Sequence, residues 1–213
     1  FSCMDGYTTE AHKRLKKLLQ RPLPGQNAQL RMAPLERPEK ASDPETQQAG
    51  VLVLLFSRYN ELHTVLIQRP VYRGAHSGQI SFPGGKMETG DQDIVHTALR
   101  ETHEEVGISS QQIRVLGKLT PLYIPVSNHM VQPVIGTLNQ LPRFIPDSKE
   151  VARIYEIRVR DLMEPGCLIE NESILENNRH IKAPFYKYNG LRIWGATAMI
   201  MSEFLEIYRE GFL

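Results

Sequence analysis

At 213 residues and a formal net charge of +1, the chain is long enough for one domain with decorations. It carries no bulk charge that would draw it to nucleic acid or to an acidic membrane. With 41% hydrophobic and 23% charged residues, it has the composition of an ordinary globular protein. Cys3 and Cys167 stand far apart, so no disulfide framework is expected and a reducing setting is the default. No apolar run approaches the ~20 residues a membrane span needs, and no secretory signal opens the chain. The expectation is a cytoplasmic protein whose recognition of phosphate, if any, is local.

In chain order, Thr8 or Thr9 opens a helix to about Leu19 with Leu15, Leu18 and Leu19 on one face. A connector with Pro22, Pro24, Pro34, Pro38 and Pro44 follows and reads as extended or irregular. It covers the core or meets a partner subunit; its Leu30, Met32 and Leu35 make a homodimer the expectation there. Residues 1–49 thus read as an N-terminal extension, and 50–213 as the main domain. Val51–Phe56 and Thr64–Gln68 are β-rich runs around Arg58-Tyr59-Asn60, a hairpin. Ile80-Ser81-Phe82 is a short strand broken by Pro83-Gly84-Gly85. A helix is predicted from Gln92 to Val106, stopped by Gly107. Strands follow at Ile113–Leu119, Val131–Leu138, Ile154–Val159 and Ile181–Tyr188. Asn189-Gly190 turns the chain into Leu191–Trp194, and a last helix runs from Ala196 to Tyr208. This order predicts an α/β fold, a mixed sheet between helices.

The chemistry concentrates in Ala98-Leu99-Arg100-Glu101-Thr102-His103-Glu104-Glu105-Val106-Gly107-Ile108. On a helix, Glu101 and Glu105 stand one turn apart, about 40° around the axis, and Glu104 lies about 60° to the other side of Glu101. Ile94, Val95, Ala98, Leu99, Thr102 and Val106 form a separate, mostly apolar arc. Like charges at this spacing destabilise an isolated helix. A hard divalent cation relieves the repulsion, and Mg²⁺ suits a few carboxylates with waters and phosphates. A solvated acidic face is the plain alternative for a Glu-rich helix. Here, however, Phe82-Pro83-Gly84-Gly85 sets a tight loop before the helix, where backbone groups can approach metal and phosphate.

These residues resemble the Nudix box: Gly, five residues, an acidic residue, then Arg-Glu-apolar-x-Glu-Glu-x-Gly-apolar. Gly85 takes the first position, and Arg100 through Ile108 match the second half. Asp91 stands where the common pattern has Glu, and eight residues instead of seven separate it from Arg100. Asp91 is accordingly expected either to cap the helix or to pair with Arg100 less directly. The resemblance implies a Nudix α/β/α sandwich that cleaves a diphosphate linkage with Mg²⁺ or Mn²⁺. It implies Glu101 and Glu105 as primary metal ligands, Glu104 on a second metal or acting through water, and the Gly85 carbonyl completing the site. Arg100 would orient the carboxylates.

Upstream, Val65-Leu66-Ile67-Gln68-Arg69, then Arg73, His76, Gly78 and Phe82-Pro83-Gly84-Gly85, are similar to the added signature of coenzyme A diphosphatases, with Arg73 one place early. Pro133-Val134-Ile135-Gly136, Glu150-Val151 and Trp194-Gly195-Ala196-Thr197-Ala198 extend the likeness. It implies hydrolysis of coenzyme A or acyl-CoA to 4′-phosphopantetheine and adenosine 3′,5′-bisphosphate. Another nucleoside diphosphate derivative, such as ADP-ribose or a dinucleotide, is the alternative substrate, and a non-catalytic nucleotide-binding module is the alternative class. Arg69 and Arg73 suit anionic phosphates, against surface ion pairing. His76, Gly78, Phe82 and Gly84 are candidate substrate contacts, although a loop histidine and a core phenylalanine explain His76 and Phe82 as well. Glu150 is either a further ligand or base, or a carboxylate at a helix start.

Overall fold

The computed structural model describes residues 4–35, 45–71, 78–170, 173–176 and 179–213. Helices α1 (Met4–Leu18) and α2 (Gly25–Leu30) precede strands β1 (Gln47–Arg58), β2 (Glu61–Gln68), β3 (Ile80–Ser81) and β4 (Gly84–Lys86). Helix α3 (Ile94–Val106) leads into β5 (Ile113–Lys118), β6 (Leu122–Ile124), β7 (His129–Leu138) and β8 (Arg153–Arg158). Then come β9 (Leu168–Ile169), β10 (Ser173–Glu176), β11 (Arg179–Lys182), β12 (Phe185–Tyr188), β13 (Leu191–Trp194) and α4 (Gly195–Phe212).

Strand β1 lies at the centre of a mixed sheet. It pairs parallel with β7, from Gln47↔His129 to Leu55↔Thr137, and antiparallel with β2 and β4. β5 and β6 flank β7, while β3 and β8 pair with β2. Side chains alternate across the sheet. Leu52, Leu54 and Phe56 therefore pack in one cluster with Ala98 and Val106 of α3. Val53 and Leu55 face the other way, with Leu15 of α1 and Ile200 and Phe204 of α4. Helices thus cover both faces, the expected α/β/α sandwich. Burial on two faces also explains why β1 reads as an unbroken apolar run instead of an alternating one.

Both predicted hairpins form. Tyr59 and Asn60 turn β1 into β2 with φ of 53° and 59°. Asn189 and Gly190 do the same between β12 and β13 with φ of 46° and 83°, the type I′ signature. Three local expectations change. The connector after α1 contains α2, which Pro24 precedes with helical φ and ψ, a conformation its ring favours. Pro83 interrupts the strand only briefly, since Gly84–Lys86 resumes pairing along Val51–Ala49. The strand expected over Ile181–Tyr188 divides into β11 and β12 around Ala183-Pro184, where proline offers no N–H to a ladder.

The segments before β1 pack into the same core as the rest. Leu15, Leu18 and Met32 join the cluster beneath α4. The Gln29 amide donates to the Thr120 carbonyl at 2.8 Å and to the fully buried Glu203 carboxylate at 2.9 Å. Glu203 also accepts from Gly25 N–H and the Thr120 hydroxyl. This saturates a carboxylate that would otherwise be costly to bury. His12 pairs with the Thr137 hydroxyl, and burial, aided by Arg114, lowers its pKa to about 4, so it docks α1 as a neutral ring. Of the connector's apolar residues, Met32 is buried, while Leu30 and Leu35 are 53% and 78% exposed. Among the described residues no helix is long and apolar enough to cross a membrane.

Candidate active site

Helix α3 is fixed at both ends. Asp93 caps its start, accepting from His96 N–H at 2.8 Å. At its end Gly107 adopts the left-handed conformation at φ 75°. The carbonyls of Glu105 and Val106, which an α-helix leaves without partners, accept from Asp147 and Ile145 N–H at 3.1 and 2.9 Å. Those bonds staple the segment between β7 and β8 to the helix and deliver Glu150, whose N–H donates to the Asp147 carbonyl. Carboxylate oxygens of Glu101, Glu105 and Glu150 consequently lie within 4.8 Å of one another.

The glycine loop meets this cluster at contact distance. Gly84 N–H donates to Glu105 at 2.8 Å. A Cβ on Gly84 would come within 2.4 Å of the Gly50 carbonyl, and one on Gly85 would fall 2.5 Å from the Glu101 carboxylate. Only glycines allow strand and carboxylates to approach this closely. Arg69 donates to the Gly84 carbonyl at 3.3 Å and lies 3.7 Å from Glu105. Glu105 is 1% exposed, and burial pushes its carboxyl up to about 8 against the opposing pull of Gly84 N–H and Arg69. Burial likewise raises Glu101, against Arg100. Clustered, desolvated carboxylates that resist ionisation are a donor set suited to a hard divalent cation, which would supply the missing positive charge.

A second layer orients the first. Arg100 clamps Asp91 through Nε and Nη2 at 2.9 and 3.0 Å, touches Glu101 at 3.0 Å and Glu104 at 2.9 Å, and donates to the Lys86 carbonyl. Asp91 also accepts from the Thr97 hydroxyl and Glu88 N–H, and pairs with the His96 ring. Arg100 holds its carboxyl well below the usual carboxylate range. Of the two roles expected for Asp91, the cap belongs instead to Asp93. The pairing with Arg100 is direct and two-pronged, since the extra residue in the box brings the shorter side chain within reach. Sequence reasoning missed the support that His96 and Thr97 give.

Other expectations are revised by placement. Glu104 is exposed and turned to Arg100, and Glu150 takes the third place in the cluster. The Phe82 ring is 2% exposed within the core, so it is not a substrate-stacking ring. Gly78 (φ 69°) returns the chain to Pro70 and accepts from the Gln68 amide. Arg73 and His76 lie outside the described residues.

Residues 46–179 match the NUDIX domain. The chain belongs to the Nudix family. The Nudix match ends before α4 and begins after α2, so the helices closing one face of the sheet lie outside it. The chain is 32% identical over 212 residues to the mitochondrial coenzyme A diphosphatase NUDT8 of Mus musculus, covering 98% of this chain and 92% of that protein. It is 34% identical over 140 residues to the same-named protein of Homo sapiens, covering 65% of this chain and 59% of that one. The chain thus spans less than two thirds of the human relative's length. The Nudix hydrolase NudL of Pectobacterium atrosepticum is 33% identical over 175 residues, 82% of this chain and 88% of that one. Among solved structures, the Nudix hydrolase RenU of M. smegmatis superposes with a TM-score of 0.52 at 13% identity, over 79% of this chain and 89% of that one. A MutT/nudix protein of Enterococcus faecalis gives 0.52 at 17%, over 81% and 66%. These last two speak for the fold alone. With the family and its curated relatives, the chain is a Nudix hydrolase acting on phosphorus anhydrides.

Proposed function

We propose that this Nudix enzyme hydrolyses the diphosphate of coenzyme A or an acyl-CoA to 4′-phosphopantetheine, or its acyl form, and adenosine 3′,5′-bisphosphate, with Mg²⁺ or Mn²⁺ at the carboxylates. The observation that carries the reading is the convergence of Glu101, Glu105 and Glu150 beside Arg69, on a chain whose segment before the box resembles the coenzyme A diphosphatase signature, with Arg73 one place early. The names of the human and mouse relatives support the same substrate. A bound divalent ion supplies charge neutralisation at the phosphoryl oxygens and Lewis acidity toward water. The protein contributes the rest. Gly84 N–H and Arg69 fix the Glu105 carboxylate, and Arg100 fixes Glu101. The stapled segment after β7 holds Glu150 at the same point, within reach of a proton released by attacking water. A binding-only module needs no such convergence of acids, two of them withdrawn from solvent. We further propose a reducing compartment: the cytoplasm or, following the relatives' names, the mitochondrion.

The test is a substrate panel with product identification, comparing coenzyme A, dephospho-coenzyme A, ADP-ribose and a dinucleotide. Coenzyme A and its dephospho form differ only in the ribose 3′-phosphate. A charge-assisted contact to that group adds about 1.5–3 kcal/mol, roughly one to two orders of magnitude in kcat/KM if it persists in the transition state. Equal rates would remove the 3′-phosphate contact. Efficient ADP-ribose cleavage with negligible turnover of coenzyme A would overturn the substrate.

A further inference from the structure

A cleft of about 440 Å³, lined by Gln47, Gln48, Lys86, Met87, Glu88 and Asp91 among others, opens at the start of β1 and the end of β4. Its place relative to the carboxylates follows from strand register. Stepping along β4, Gly84 meets Glu105, Gly85 meets Glu101, and the Lys86 carbonyl meets Arg100, which holds Asp91. The cleft therefore begins where the row of carboxylates ends. On the opposite side of the cluster, β2 ends at Gln68 beside Arg153 of β8, and Arg69 follows. A diphosphate held at the carboxylates has one arm on either side of the cleaved bridge, and displacement in line at phosphorus sends the two arms apart.

The two sides differ in charge. Arg69, at 3.7 Å from Glu105, is cationic and suits the arm that bears a further phosphate. In the cleft, Lys86 and Glu88 contribute one charge of each sign, and Asp91 is saturated by Arg100, His96, Thr97 and Glu88 N–H. The uncharged groups open to a ligand are the exposed amides of Gln47 and Gln48, the exposed Thr89 hydroxyl and the 38%-exposed thioether of Met87. A volume of this size accepts a flexible chain of moderate length. Its lining matches an uncharged arm of amides and methylenes, to which amide side chains donate and accept and a thioether packs.

We infer that this cleft is the subsite for the uncharged, amide-bearing arm of the substrate, with the phosphorylated nucleoside on the Arg69 side. The inference rests on the coenzyme A reading above and adds the direction in which that substrate lies. The test uses the full-length enzyme and two substrates with the same nucleoside half: coenzyme A, and adenosine 3′-phosphate 5′-diphosphate, in which the amide-bearing arm is absent. Gln48→Ala and Met87→Ala should each lower the ratio of kcat/KM for coenzyme A over the truncated substrate by about three- to tenfold. General damage to the fold would lower both and leave the ratio where it was. The product 4′-phosphopantetheine should also weaken as a competitive inhibitor by a similar factor. If coenzyme A is hydrolysed and the ratio does not move in either variant, the assignment of this arm is wrong and the substrate reading stands. If the unaltered enzyme does not hydrolyse coenzyme A, the substrate reading fails and the inference fails with it.

Discussion

Replacing Glu105 with Gln should stabilise the metal-free protein while abolishing its activity, and the two effects should have different pH dependences. The carboxyl rises from an ordinary 4.5 to about 8 because it is desolvated. The folded protein therefore retains a proton that the unfolded chain releases. Stability from this group is present in full below pH 4.5 and is lost as pH rises through about 8. At about 1.4 kcal/mol per pH unit, the gap bounds that loss at about 4–5 kcal/mol. The amide of Glu105→Gln keeps an oxygen for Gly84 N–H and carries no charge to desolvate. In the presence of a chelator the variant should match wild type near pH 5 and exceed it by about 2–4 kcal/mol at pH 9. For a chain of this size that is about 4–16 °C in Tm, readable by calorimetry. Turnover with saturating Mg²⁺ or Mn²⁺ should fall at least about a hundredfold. A variant no more stable than wild type at pH 9, or one with near-normal turnover, would refute the reasoning.

Four further outcomes are expected. Gly85→Ala puts a methyl 2.5 Å from the Glu101 carboxylate, so activity should drop at least about tenfold while Tm moves little, because only a side-chain terminus must shift. Gly84→Ala meets backbone at 2.4 Å and should cost over about 2 kcal/mol in denaturant unfolding; the reverse ranking would contradict the packing. Asp91→Asn weakens the Arg100 clamp and should cost about 1–3 kcal/mol at pH 7. Because Asp91 titrates below the usual range, the contribution is present at neutral pH and fades as the solution becomes acidic, so an unchanged unfolding midpoint at pH 7 would count against it. Leu30 and Leu35, left exposed after Met32 is buried, favour association of two copies through the connector. Sedimentation at micromolar concentration should give a dimer, and a monomer would end that proposal.

The box helix was legible because its periodicity carries the fold as well as the chemistry. Taking Ile94 as 0°, Ala98 lies at about 40° and Glu105 at about 20°, so Glu105 falls inside the apolar arc and is buried with it. Glu101 lies at about −20°, on the border, and Glu104 at about −80°, in solvent. The order of burial Glu105, Glu101, Glu104 found in the fold is thus contained in the spacing, although treating the three acids as one face obscures it. Hairpins were legible for a similar local reason: Tyr59-Asn60 and Asn189-Gly190 must adopt positive φ to match strand twist.

Glu150 was harder to assign because nothing local places it. Its position depends on Ile145 and Asp147 N–H groups finding the last carbonyls of α3, bonds between segments some forty residues apart, set by the path of the chain and not by residue type. The same holds for Asp91, whose role turns on whether the inserted residue is absorbed in the loop or the helix. It is absorbed in the loop: Asp93 starts the helix, and Asp91, two residues earlier, folds back under Arg100. Each case joins a side chain with strong local identity to a backbone path fixed elsewhere. Helix α3 supplies Glu101 and Glu105 and the stapled segment supplies Glu150, while the glycine strand on one side and that segment on the other decide which acids converge. Since both supports bond to Glu105, through its carboxylate and through its carbonyl, that residue couples the two halves of the site.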